Sequence, residues 1–375
     1  MKVLMWSRVD LFDIGGGDLI QMEATAAELR KLGVEVDIST DLNADLSNYD
    51  VIHVFHMDWT AETYSHAKRA RDGRKPLVLS PIHHSVKEVK RFDDEYGLGW
   101  RKITSFLFPD QHQRDTMKNI YRSLSDHRKL KPTLQSIFMG LKNMHTKTLS
   151  MANVVLVQTE AEARDLKETY GVEIKWVKVS NGVGEQFTRE QEFENSLGVE
   201  DYIICVGRIE ARKNQLNIIK AVEKFIASEE IDVSLVFVGK KNTHHGSFIK
   251  EFDKKVAENS WIIYVPETSW DEMPALFHFA KVGVSASWFE TSGLTSLEAL
   301  FSGANVVAAG ERAREILGNL ASYCDPGSVD SIAEAIKKQY DGPKTTVPAE
   351  MREEYTWENA ARKTKKVYEE VLAKS

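Results

Sequence analysis

The sequence predicts an α/β protein built from two successive doubly wound domains with parallel sheets. At 375 residues the chain exceeds the size at which one hydrophobic core stops growing. Short apolar runs alternate with longer amphipathic stretches almost from end to end, the pattern of parallel strands joined by crossover helices. The alternation starts afresh after the glycine-bearing segment Asn181-Gly182-Val183-Gly184-Glu185-Gln186-Phe187, which reads as an interdomain linker.

In the first half the expected strands are Val3–Trp6, Val34–Ile38, Val51–Phe55, Leu77–Leu79, Val154–Val157 and Ile174–Val177, with helical periodicity clearest in Asp18–Leu32 and Glu160–Thr169. The second series runs through Tyr202–Val206, Val233–Val238, Trp261–Val265, Val282–Ser285, Asn305–Ala308 and Ala321–Tyr323. Helices Gln215–Ile226, Met273–Phe279, Ser292–Phe301 and Val329–Gln339 separate them. Ligands of such sheets bind beyond the carboxyl ends of the strands, so the expected site is a cleft between two facing sheets.

A composition of 42% hydrophobic and 28% charged residues is that of an ordinary folded protein. The net charge of −7 argues against a general nucleic-acid binder. The opening run Met1–Trp6 is too short for a signal peptide and reads as a first strand. No stretch approaches the ~20 apolar residues that span a bilayer, so the expected location is cytoplasmic, at most peripheral to the inner face of a membrane. The two cysteines, Cys205 and Cys324, make neither a disulfide framework nor a zinc site. Cys205 reads as a buried thiol within an apolar strand.

One region breaks the rhythm. From Trp100 to Ser150 there are ten Lys/Arg against three Asp/Glu, a local net of +7, interleaved with Phe106, Phe108, Tyr121 and Phe138. Leu134, Ile137, Phe138, Leu141 and His145 fall at helical spacing beside Lys129, Lys131, Lys142 and Lys147. Such a helix either lies on an anionic membrane surface or packs its apolar stripe on the first domain.

The strongest chemical signal is Trp288-Phe289-Glu290-Thr291-Ser292-Gly293-Leu294-Thr295-Ser296-Leu297-Glu298-Ala299. It follows a strand and opens a helix, so backbone N–H groups at the helix start form a ready anion site. Glu290 in the loop and Glu298 in the helix can address one elongated ligand, and carboxylates suit sugar hydroxyls. Taken alone, they read equally well as a cap and a solvated helix residue. Val206-Gly207-Arg208-Ile209-Glu210-Ala211-Arg212-Lys213 lies at another strand-to-helix junction. There Arg208 ends the strand and Lys213 begins the helix, so both cations can reach one pyrophosphate. A third junction carries Gly15-Gly16-Gly17, where backbone can approach a ligand closely.

Together these residues resemble the family 4 retaining glycosyltransferases of the GT-B fold, two Rossmann-like domains facing a cleft. The resemblance covers nearly the whole chain in order. It runs from Gly15-Gly16-Gly17 through Ser80-Pro81-Ile82-His83-His84-Ser85 and Ser180-Asn181-Gly182-Val183 to Gly207-Arg208…Lys213 and the Glu290-x7-Glu298 motif. It implies an N-terminal acceptor-binding domain, 1–180, completed by a C-terminal helix within 357–375, and a nucleotide-sugar donor-binding domain, 181–356. It also implies that Arg208 and Lys213 bind the donor diphosphate and neutralise the leaving group, with no metal and no cofactor. Glu290 would hold the donor sugar's hydroxyls, and the N–H groups of Ser292, Gly293, Leu294 and Thr295 would touch sugar or phosphate. Glu298 would bond the ribose, Gly16 and Gly17 would lie against the phosphate and the reacting centre, and His83 would sit by the transferred carbon.

The sequence departs from the family where His84 and Ser85 follow His83, in place of the usual aspartate or glycine. Either histidine can therefore face the donor, with His83 preferred. Thr291 and Ser292 make the sugar pocket more polar than usual. His53, His56 and Asp58 imitate metal ligands, but their spacing matches no standard site, and packing or acceptor contact is the simpler reading. His244-His245-Gly246 reads as a solvent loop, with a donor-facing Lys240 as the alternative. The expected function is sugar transfer from a nucleotide diphosphate-sugar to a glycan or lipid-linked glycan. A small soluble acceptor, a nucleotide-sugar epimerase and a non-catalytic nucleotide-sugar-binding protein are the alternatives.

Overall fold

The computed structural model describes residues 1–96, 139–189 and 191–374. The chain divides into two units: Met1–Gly182 with Trp357–Ser375, and Val183–Thr356.

The first unit centres on a six-stranded parallel sheet: β1 (Lys2–Trp6), β2 (Glu35–Ser39), β3 (Val51–Phe55), β4 (Leu77–Ser80), β5 (Val154–Val157) and β6 (Trp176–Lys178). Its strand order is β2-β1-β3-β4-β5-β6. Every residue of β3, β4 and β5 is buried, as central parallel strands covered on both faces require. Edge strands β2 and β6 are partly exposed. The period-2 alternation of β1 divides its side chains between two cores. Val3 and Met5 pack with Met22, Ala26 and Leu29 of the helix Gly17–Lys31. Leu4 and Trp6 pack on the opposite face with Ala67, Leu149 and Leu166.

The helix Trp357–Leu372 completes the first core, burying Ala360, Ala361, Val367, Tyr368 and Val371. The Tyr368 hydroxyl lies 2.6 Å from His53 Nδ1, and His53 Nε2 lies 2.9 Å from Ser80 Oγ. Burial holds the His53 imidazole down to about 3, so it is a neutral bridge between β3, β4 and the last helix. The motif-like trio of His53, His56 and Asp58 thus begins with a core residue.

In the second unit the strands are β7 (Tyr202–Val206), β8 (Leu235–Val238), β9 (Ile262–Val265), β10 (Ala280–Ser285), β11 (Asn305–Ala309) and β12 (Ala321–Cys324). They are ordered β12-β11-β10-β7-β8-β9, all in parallel. Connections leave β7 and β10 toward opposite sides, so their shared carboxyl edge is the topological switch point where doubly wound sheets hold ligands. Gly283 of β10 lets the helix Leu294–Phe301 come close, since a Cβ there would stand 2.8 Å from that of Ala299.

Several limits differ from expectation. The helix after β10 begins at Leu294, not Ser292, because Gly293 takes a left-handed conformation, φ 59°, just before it; glycine adopts this without a Cβ penalty. After β7, Lys213 closes a single 3-10 turn, Ala211–Lys213, and left-handed Asn214 precedes the helix Gln215–Glu229. Most of the basic stretch, 97–138, lies outside the described residues. Its last part, the helix Leu141–Met151, buries Leu141, Met144 and His145 in the first unit and exposes Lys142 and Lys147. Both cysteines are buried, and no helix among the described residues is long and apolar enough to cross a membrane.

Tyr368→Phe should leave the buried His53 Nδ1 without its partner and cost about 1–3 kcal/mol. The check is the urea midpoint of unfolding; an unchanged midpoint would show that this bond does not hold the last helix.

Candidate active site

In the second unit the candidate residues stand on two loops that leave the switch point side by side. The loop after β7 carries Arg208 and the turn Ala211–Lys213; the loop after β10 carries Glu290 and leads into the helix that holds Glu298. Asn214, fully buried, ties them. Its Nδ2 donates to the carbonyl oxygens of Ala286, at 3.0 Å, and Pro326, at 2.8 Å, while its Oδ1 accepts from Trp288 Nε1 at 3.2 Å. The Trp288 backbone N–H also donates to the Arg212 carbonyl at 2.9 Å. Trp288 is therefore a buried strut.

This frame brings Lys213 Nζ onto Glu290 Oε1. Arg212 Nη1 stands 3.8 Å from Glu290 Oε2, and Arg212 Nε bonds Glu210 Oε1 at 2.6 Å. Burial opposes ionisation of Glu290, but Lys213, Arg212 and a hydrogen bond from Ser287 outweigh it and hold its carboxyl down to about 2. Glu298 is different. It is 2% exposed, and burial pushes its carboxyl up to about 8 against the pull of Lys213. At neutral pH the motif thus supplies one carboxylate and one carboxylic acid, not the two carboxylates its spacing suggests. Arg208 is exposed, and Gln215 Nε2 donates to its backbone carbonyl at 2.9 Å. Ser292 is buried, and Leu294 and Thr295 form the first turn of the helix.

In the first unit, Gly15 and Gly16 have positive φ, and Gly17 starts the helix Gly17–Lys31. A buried arginine, which sequence reasoning missed, holds this loop. Arg8 Nη2 donates to the Gly15 carbonyl at 2.8 Å, Nε to Asp18 at 2.7 Å and Nη1 to Asp10 at 2.6 Å. His56 Nε2 lies 3.7 Å from Asp18. Asp58, which in the sequence only imitates a metal ligand, receives the Nδ1 of both His83 and His84. His83 is 4% exposed. Its Nε2 lies 3.1 Å from the Tyr170 hydroxyl, and its ring packs between His145 and Tyr170. The His84 side chain is 24% exposed.

The candidates therefore form two sets, Gly16, Gly17, His83 and His84 in one unit and Arg208, Lys213, Glu290 and Glu298 in the other. No trio of His, Cys, Asp or Glu among the described residues is arranged to hold a metal ion. Lys240 pairs with Glu267 on the surface. His245 Nδ1 accepts from the Ala211 N–H at 3.3 Å, so that part of its loop buttresses the Arg212 turn.

Two parallel six-stranded sheets with helices on their faces define the GT-B class of fold, and solved structures agree. Sucrose-phosphate synthase from Thermosynechococcus elongatus superposes over 100% of both chains with a TM-score of 0.69 at 14% identity. Anabaena HepE in complex with UDP covers 99% of this chain and 100% of its own, with a TM-score of 0.65 at 14% identity. Residues 187–363, which take in nearly all of the second unit, match the family described as Glycosyl transferases group 1. An O-antigen chain mannosyltransferase B of Escherichia coli is 24% identical over 178 residues, 46% of each chain. An uncharacterised glycosyltransferase of Methanocaldococcus jannaschii is 24% identical over 190 residues, 47% of each. The matches span about half the length of these relatives.

The two glutamates should separate in a pH experiment. Glu298 keeps its proton in the folded state up to about 8, whereas in the unfolded chain it ionises near an ordinary carboxyl value of about 4.3. The unfolded state therefore releases a proton that the folded state retains, and this group's contribution to stability is full below the unfolded value. It falls as pH rises through that window, by roughly 1.4 kcal/mol per pH unit at most. Glu298→Gln should remove the slope, so wild type should lose stability relative to the variant from pH 5 to pH 8. A constant difference in chemical-denaturation free energy would contradict the assigned protonation.

Proposed function

We propose that this protein is a retaining, metal-independent glycosyltransferase that moves a sugar from a nucleotide diphosphate-sugar to a glycan. The observation that carries the proposal is the meeting of Lys213 with Glu290, with Glu298 buried in the helix that follows, at the β7/β10 switch point of a segment matching the group 1 family.

In this reading Arg208 and Lys213 hold the diphosphate, Glu290 accepts hydrogen bonds from the donor sugar's hydroxyls, and Glu298 bonds the ribose. Backbone N–H groups from Ser292, Gly293, Leu294 and Thr295 face sugar or phosphate. In the first unit the proposed ligand contacts are Gly16, Gly17 and an imidazole. His84 is the better candidate there, because His83 is turned inward between Asp58 and Tyr170. The acceptor hydroxyl attacks the anomeric carbon on the face the leaving group departs from. The carbon–oxygen bond to phosphate breaks, its electron pair stays on the phosphate oxygen, and that oxygen takes the acceptor's proton. The protein's task is then to position the reactants and stabilise the charge growing on the diphosphate, which two cations of the chain can do without a metal. No carboxylate nucleophile is needed.

For the acceptor we favour a glycan carried on a lipid at an anionic membrane face. Support comes from the net +7 of residues 100–150, the exposed Lys142 and Lys147, and a relative named for an O-antigen chain.

A thermal-shift panel of UDP-, GDP- and ADP-sugars should reveal the donor, because a ligand selective for the folded state raises its melting point. With that donor, Lys213→Ala should lower kcat about 100-fold or more, since the charge it meets develops in the transition state. Unchanged turnover would remove Lys213 from the reaction. Excess EDTA should leave the wild-type rate unaltered; a rate restored only by Mg²⁺ would refute metal independence. Sedimentation with anionic vesicles at low salt should carry the protein down, and its absence would favour a small soluble acceptor.

A further inference from the structure

Arg212 stands beside the proposed phosphate-binding cations but is placed for different work. Its Nε is committed to Glu210 Oε1 at 2.6 Å, and Glu210 Oε2 is itself held by Asn242 Nδ2 at 2.8 Å. The guanidinium lies 5.7 Å from the centre of the Phe289 ring, and its backbone carbonyl accepts the Trp288 N–H at 2.9 Å. Pinned at these points, it turns Nη1 toward the Glu290 oxygen that Lys213 does not occupy, at 3.8 Å. Within the cluster two cations, Arg212 and Lys213, balance two carboxylates, Glu210 and Glu290.

A donor diphosphate upsets that balance, because it competes with Glu290 for the single ammonium of Lys213. A partly buried carboxylate deprived of its cation is strongly destabilised. We infer that Arg212 takes over Glu290 when Lys213 turns to the diphosphate, keeping Glu290 charged and in place for the donor sugar. Arg212 can do this without leaving Glu210, since a planar guanidinium serves two carboxylates at once and an ammonium does so poorly. Arg212 is therefore a positioning residue rather than a phosphate ligand. The inference rests on the donor-site reading above.

The test is a double-mutant cycle read by calorimetry with UDP, GDP and ADP, using the nucleotide that binds wild type best. Arg212→Gln should weaken binding about tenfold, because Glu290 then keeps Lys213 for itself. In the Glu290→Gln background the same change should cost less than about twofold, there being no carboxylate left to balance. Equal losses in the two backgrounds, as a purely structural role for Arg212 would give, would overturn the inference. Thermal melting establishes that each variant folds, and Arg212→Lys, which keeps the charge and loses the fork, carries the same comparison should the glutamine variant not fold. Failure of wild type to bind any of the three nucleotides would instead refute the donor-site reading.

Discussion

A carboxylate partly shielded from water at the end of β10 stays charged because the neighbouring strand's loop sets two cations against it. The contact of Glu290 with Lys213 and Arg212 organises the second unit's site, and the sheet makes it possible. β7 and β10 are parallel neighbours, so the residues leaving their carboxyl ends emerge side by side although 77 positions separate Lys213 from Glu290. Coulomb attraction does not create this proximity. The apolar core beneath, with Ile204, Val236, Leu297 and Leu300, fixes the strands and the helix, and the Asn214 bonds fix the loops. The ions then gain from a geometry whose entropy cost has already been met by burial.

The first unit applies the same rule with the signs reversed. There the buried ion at the switch between β1 and β3 is a cation, Arg8, and two carboxylates surround it. Its third bond, to the Gly15 carbonyl, couples the charge to the shape of the glycine loop. Glu162 works similarly at the next edge of the sheet. Fully buried, its carboxylate accepts the backbone N–H groups of His83 at 3.0 Å and Gln158 at 2.8 Å. It thereby satisfies donors that the strand ends leave over. Buried charge in this protein holds loops to the carboxyl ends of strands, where chemistry would be done, while apolar residues carry the rest of the core.

This division explains what the sequence revealed. The two-sheet α/β architecture was legible because buried parallel strands are short apolar runs, and Val51–Phe55, Val154–Val157 and Tyr202–Val206 were read at the limits the structure has. Limits failed where one backbone conformation decided them, as at left-handed Gly293 and Asn214. Lys213, Glu290 and Glu298 were singled out by motif spacing. Arg212 and Arg8 were not, and Asp58 was read only as imitating a metal ligand, because each acts through side chains brought to it by the fold. Arg8 receives Asp18 from the following helix, and Asp58 receives His83 and His84 from beyond β4. The adjacency of His83 and His84 told nothing of direction, since their rings diverge from one shared carboxylate. Arg8, Asp10 and Asp18, around the end of an apolar strand, were the available signal for the Arg8 cluster.

Spacing alone also misrepresents the two glutamates. Eight positions apart on one loop and helix, they read as equivalent acids, yet their surroundings drive them to opposite states. Glu290 faces cations and Ser287 and is held at about 2; Glu298 is enclosed by the helix and sheet and is held at about 8. Environments that push paired acids apart assign them different chemistry. An ionised carboxylate only accepts hydrogen bonds, whereas a protonated one can also donate. Glu290 is thus suited to collect several hydroxyl donors, as a sugar ring offers. Glu298 can give one bond and receive another, which suits a pair of neighbouring hydroxyls in which one donates and the other accepts. In the proposed donor site, keeping Glu298 neutral would also avoid placing a second buried anion near the diphosphate, whose repulsion would oppose the pull of Lys213. The motif therefore separates recognition from charge: one acid takes part in the ionic balance, and the other contributes hydrogen bonds without altering it.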